Sequence, residues 1–282
     1  GAVAGGAAST LRFTNQLWVE LTGNDATGAR NDPSKPFRTM TNAMAATIPG
    51  DVINVGVGRF TNLAGPLTIS NSVTVRGVDW NNTVLLGTNA LSTTGVNFKP
   101  RDNSTIEHLR LEISENQALP APLFGVSDSF DTLGFTNVMV RNVRFQGFTD
   151  NIVISMTANP CQAEFIECQF DTGGDMVVLH GNAASHLKFK YCHFFGHTNN
   201  VAGVNSSALR ASTGDFTYEF CNFASTNNGP VVKGLELIST AGARLESCTF
   251  NMGCTSGNVS NVMSTSSRPV VLVNCLVTTN TF

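Results

Sequence analysis

The chain has 282 residues, of which 41% are apolar and 13% charged, with a formal net charge of −3. That length suits one extended domain with a substantial core. The sparse, balanced charge excludes a basic nucleic-acid surface and a like-charged disordered tail, and no run of about 18 consecutive apolar residues is present to span a membrane.

The first stretch, "GAVAGGAAST", has small residues but neither the basic start nor the apolar length of a signal peptide. Residues 1–16 are read as a flexible arm or linker and 17–282 as one domain. Within 36–46, "PFRTMTNAMAA", Pro36 suits a first helical turn, and Phe37, Met40 and Met44 fall on one stripe. This is the one helix expected. From 51 to 99 the segments "DVINVGV", "PLTIS", "SVTVRGV", "TVLLG" and "VNFK" read as short strands between polar turns.

Beyond residue 100 a phrase returns. "FIECQF", "FKYCHF", "YEFCNF", "LESCTF" and "LVNCLV" place cysteines at 168, 192, 221, 248 and 275, at spacings of 24, 29, 27 and 27. Such self-similarity marks a repeat architecture. Aligned on the cysteine, four columns are apolar, at −5, −3, 0 and +2. They read Ala163, Phe165, Cys168, Phe170; Leu187, Phe189, Cys192, Phe194; Phe216, Tyr218, Cys221, Phe223; Ala243, Leu245, Cys248, Phe250; and Val270, Leu272, Cys275, Val277. Val138, Val140, Val143 and Phe145 follow the same rule without a cysteine, as do Ile106, Leu109 and Leu111 less completely.

The spacing carries the architecture. Positions −5 and −3 alternate as strand residues must, as do 0 and +2, but parity breaks between −3 and 0. One extra residue there makes a sharp bend between two short strands that both keep their apolar side inward. Repeated in one sense, the bend coils the chain into an all-β solenoid of parallel strands, with like residues stacked about 4.8 Å apart. A third strand per coil is read in "NIVIS", "MVVLH", "VVKGLELI" and "NVSNVMS", giving eight or nine coils. The cysteines then form an inward ladder of apolar thiols, with Cys161 and Cys254 off it. An odd count and a stacked column argue against a disulfide framework, and reduced thiols fit folding in a reducing cytosol.

Residues 17–61, with "TGNDATG", "KPFRTM" and "PGDVINV", resemble the entry module of right-handed parallel β-helix proteins of the pectate-lyase-like superfamily. In that family the helix caps the top of the solenoid. The bends at Asn142 and Asn274 resemble the family's bend, where asparagine tolerates left-handed backbone. The likeness extends over residues 17–282. It implies no single activity, because enzymes, adhesins and viral spikes share the scaffold.

Enzymes of this fold act mostly on uronic-acid polysaccharides. The candidate catalytic pair is Asp150 and Asp175, 25 residues apart, the same step as from Val140 to Phe165, so the two are expected on neighbouring coils. Carboxylates that close separate their pKa values as an acid/base pair requires. The stretches resemble polygalacturonase motifs, but Gly174 stands where a further acid is expected and no arginine–lysine signature follows. An aspartate opening a strand is also an ordinary turn residue. For lyase chemistry, Lys233 and Arg210 are available as bases, without the cluster of acids that would hold calcium. His180, His186, His193 and His197 lie close in sequence, but His193 is expected to point outward and His197 to sit in a turn. No metal and no cofactor is expected.

The outer residues Glu107, Arg141, Lys188, Lys190, Glu219, Arg244 and Glu246 mix both signs and read as cross-strand ion pairs. Val153 and Val178 are expected outward as an apolar row, and no C-terminal cap is apparent after "NCLVTTNTF". These features favour a non-catalytic structural or adhesive subunit of a virion-surface or extracellular assembly, homo-oligomeric or packed on neighbouring subunits, and contacting glycan. The alternative is a polysaccharide-degrading lyase or hydrolase using Asp150 and Asp175. A third reading, a carbohydrate-binding module, requires exposed aromatics on one face.

Overall fold

The computed structural model describes residues 13–61, 67–87, 98–113, 124–127, 134–147, 152–155, 159–172, 177–180, 184–196, 206–227, 231–254 and 258–281. Every strand pairing among them is parallel, each strand lying on its counterpart one coil away. The chain is a solenoid with three faces.

The first face stacks Gln16–Val19, Val52–Val55, Thr74–Arg76, 105–107, 138–141, 163–166, His186–Lys190, 215–219, 243–246 and Val270–Val273. That is ten rungs, where eight or nine coils were expected. The difference lies at the start, because the short strand Gln16–Val19 is itself a rung. The second face runs from Gly58–Thr61 through Gln169–Thr172 and His193–Gly196 to Leu276–Thr281. The third includes Phe124–Ser127, Ile152–Ser155, Val177–His180 and Asn258–Ser264.

From the rung at 105–107 onward, the bend between the first two faces rests on one residue in left-handed conformation per coil. His108, Asn142, Glu167, Tyr191, Phe220, Ser247 and Asn274 all have φ of 50–57°. Asparagine adopts this region readily, the larger side chains at a cost. The ladder continues through the bend: the amides of Tyr191 and Phe220 donate to the carbonyls of Glu219 and Glu246, each at 2.9 Å. The parity break expected from the repeat is this single residue.

The columns at −5, −3, 0 and +2 are buried from Val138 to Phe250. Phe145, Phe170, Phe194, Phe223 and Phe250 stack ring on ring at 4.7–4.8 Å. Phe165, Phe189 and Tyr218 form a second stack, meeting the first edge to face. The last rung departs from this rule. Leu272 and Val277 hold their register but are about half exposed, since they have a neighbouring coil on one side only among the described residues.

The helix is shorter than expected, Met40–Ala45 rather than 36–46. Thr39 takes the N-cap with extended backbone, and its hydroxyl accepts from Asn42 N. Asp25 accepts from the amides of Arg38 and Thr39 at 2.8 and 3.0 Å, which holds this approach out of the helix. Phe37 remains extended, donating to Trp18 O and accepting from Glu20 N. Met40, Ala43 and Met44 join Leu17 and Val19 in the core, so the helix does pack against the first rung. Gly23 and Gly28 lie so close to Phe37 that a Cβ at either would collide with it. Arg30 from the same loop grips Asp51 through Nε and Nη2 at 2.5–3.0 Å. Burial raises the Asp51 pKa, but the Arg30 hydrogen bonds and the Ile48 amide outweigh it and hold the carboxyl below its usual range.

Candidate functional site

Asp150 and Asp175 both lie outside the described residues. The strands that follow them are described, and Ile152 pairs with Val177, the 25-residue step expected for the two aspartates. Val153 pairs with Val178 and, one coil on, Val178 with Arg210 and Arg210 with Glu236.

Two polar arrangements occur among the described side chains. On the second face Glu112, Gln146 and Asp171 occupy successive rungs of one column. Glu112 is held by Arg59 at 2.6 Å and Arg110 at 3.1 Å. Asp171 is held by Arg144 at 2.6–2.7 Å and by Gln169 at 3.0–3.1 Å. Both carboxylates are buried. Engaged by arginine, they act as struts between coils.

The other arrangement is a groove on the first face. Gln162, His186, Asp215 and Gly242 share one column, and Glu164, Lys188, Thr217 and Arg244 share the next. Two hollows of about 290 and 340 Å³ open on these rows and meet at His186. His186 Nε2 lies 3.3 Å from Thr217 Oγ1. Arg268 reaches over Gly242 to Asp215 at 2.8–3.0 Å, and a Cβ at 242 would crowd the Asp215 carboxylate at 2.9 Å. Lys188 sits 3.0 Å from Glu219, whose hydrogen bond lifts the ammonium pKa above the usual lysine range, and 3.8 Å from Glu164. The groove thus offers amide, imidazole, guanidinium, hydroxyl and carboxylate groups in a row, the mixed donors and acceptors that polar ligands require.

Cross-strand pairing on the outer face is as expected for Glu107, Lys188, Lys190 and Glu219, with Arg76 the partner of Glu107 at 2.6 Å. Arg244 pairs instead with Glu246 on its own strand, at 3.0 Å. His193 is exposed, and His197 falls outside the described residues. Among the described residues no group of three or more His, Cys, Asp or Glu is placed to hold a metal ion, and no helix is long and apolar enough to cross a membrane. Sequence reasoning missed the groove. Gln162 and Asp215 are not notable in sequence, and they meet His186 only through the register of three coils.

A family model described as a protein of unknown function, DUF1565, matches residues 21–121. No curated protein matches the sequence. Among solved structures, a pectin methylesterase from carrot is similar with a TM-score of 0.58 at 9% identity, over 94% of this chain and 89% of that one. A rice weevil pectin methylesterase is similar at 0.59 and 12%, over 86% and 87%. Escherichia coli YbhC is similar at 0.59 and 9%, over 98% and 88%. The fold is the right-handed parallel β-helix. At these identities the likeness speaks for the β-helix alone, and chemistry must be argued from the side chains.

Proposed function

We propose that this β-helix is a non-catalytic scaffold that binds a glycan along the groove of its first face. The carrying observation is the pair of hollows that share His186 in their linings, with hydrogen-bonding side chains on successive rungs. A polysaccharide is itself a repeating row of hydroxyls, and a surface that repeats every ~4.8 Å matches it in kind. The carboxylates described on both faces are tied to lysine or arginine, which supports a binding role over acid catalysis. Membership of an extracellular or virion-surface assembly, and self-association, belong to the same proposal. Calorimetry with oligogalacturonides tests the groove: binding that an Arg268→Ala, His186→Ala variant loses supports it, and equal binding by that variant removes it.

A second reading is a polysaccharide-active enzyme centred on Asp150 and Asp175. The 25-residue register of Ile152 on Val177 supports it, as do structural neighbours that are pectin methylesterases. Product release from acidic, methyl-esterified and neutral polysaccharides decides it. Release by the native chain that an Asp150→Asn, Asp175→Asn variant loses would establish catalysis over scaffolding.

A further inference from the structure

The bend between the first and second faces carries an unusual pair. Tyr191 and Phe220 occupy the left-handed position on successive coils, with φ of 55° and 53°. Bulky L side chains are strained there, and the chain uses asparagine at the same position in Asn142 and Asn274. Burial does not offset the strain, because Tyr191 is 45% exposed and Phe220 50%. The rings stack on each other at 5.1 Å and 21°. Lys190 Nζ lies 5.4 Å from the Tyr191 centroid. On the other side of the pair, the next residue of the column is Ser247, whose short side chain leaves the Phe220 ring open.

We propose that Tyr191 and Phe220 are a stacking platform for a neutral hexopyranose. A pyranose ring presents one face of C–H groups, which fits an exposed aromatic face, and a rim of hydroxyls, which needs acceptors and donors close by. The rim is present. Glu167 is exposed on the preceding coil of the column, and Glu219, Glu246 and Lys190 flank the rings from the adjoining strands. Glu219 is paired with Lys188 and Lys190 and Glu246 with Arg244, so among the described residues Glu167 is the carboxylate left without a cation beside the rings, which disfavours a uronate and suits the vicinal hydroxyls of an uncharged sugar. The platform shares the kind of ligand with the groove reading but uses different residues, so the two stand or fall separately.

The test exploits the strain. Asparagine at 191 and 220 removes both rings while relaxing the backbone, so the Tyr191→Asn, Phe220→Asn chain is expected to unfold at the same temperature as the native chain or higher. Cellohexaose and maltohexaose are the probes, with hexagalacturonate as the charged control, measured by calorimetry and saturation-transfer NMR. At least one neutral hexasaccharide is expected to bind the native chain more tightly than hexagalacturonate does. The double variant is expected to lose at least ten-fold in that affinity, a Tyr191→Phe variant to retain it, and the Arg268→Ala, His186→Ala groove variant to leave it unchanged. Neutral sugars that do not bind, that bind the double variant equally well, or that are lost in the groove variant would overturn the proposal. A lower unfolding temperature for the double variant would also overturn it, making the stack a structural brace.

Discussion

Cys192 donates its thiol hydrogen to the carbonyl of Phe165, one coil earlier, at 3.4 Å. Every ladder thiol repeats this geometry, reaching the −3 carbonyl of the preceding coil at 3.4–3.6 Å and the −2 carbonyl of its own strand at 3.4–3.5 Å. The cysteine therefore fills space as a small hydrophobe and also carries a weak donor to the bend. Replacing Cys192 with alanine removes both. It is expected to lower stability by about 1–2 kcal/mol in urea unfolding.

Burial pushes the Cys161 thiol up from 9.0 to about 12 and raises Cys192 and Cys221 well above the ordinary value. A group whose folded pKa is raised holds more protons folded than unfolded once the pH passes the unfolded value. Its contribution is complete below pH 9.0 and declines as the pH climbs towards about 12. Thermal midpoints measured from pH 8 upward are expected to fall, and to fall less steeply for a Cys161→Ala variant.

Asp51 works in the opposite sense. Its side chain is fully buried against Arg30, and its carboxyl pKa lies below the ordinary 3.8. The stability it contributes is present above that ordinary value and is lost as the pH falls through the folded one. Asp51→Asn removes the charge partner of Arg30 and the strongest acceptor of its hydrogen bonds, and is expected to lower stability at neutral pH. Between pH 4.5 and pH 2.5 the native chain is expected to lose more stability than the variant, which circular dichroism melts would show.

The Tyr218 hydroxyl is buried inside the second aromatic stack, without a hydrogen-bond partner among the described residues. Tyr218→Phe keeps the ring and removes the orphaned group. Denaturant titration is expected to show a gain of about 1 kcal/mol.

Glu167 occupies the bend with φ of 54° and an exposed side chain. Glu167→Asn is expected to raise stability by roughly 0.5–1 kcal/mol, read as a higher midpoint at unchanged denaturant slope.

The buried face of the molecule was legible because each column repeats. Phe170, Phe194 and Phe223 recur at one offset from a cysteine, and a core that recurs can be read without knowing any loop. The helix was overread by several residues because Asp25, thirteen positions before Arg38, captures the amides that the apolar stripe implied were helical. The outward residues follow no such rule. Tyr191 and Phe220 sit next to ladder cysteines, yet their stacking depends on coil length and on a backbone conformation that the residue types argue against. Likewise Gln162, His186 and Asp215 become neighbours only once the 24- and 29-residue steps are laid on one another.

The cap formed by the loop and helix at the first rung has a consequence for how the chain is made. Each later strand pairs with one that left the ribosome a single coil before, as Gln169 does on Arg144 and Asn222 on His193. The edge of the Gln16–Val19 rung, packed against Met40 and Met44, can serve as a template for Val52–Val55 as soon as that strand is made. Assembly can keep pace with synthesis, one coil laid on the last, and no strand has to wait for a distant partner.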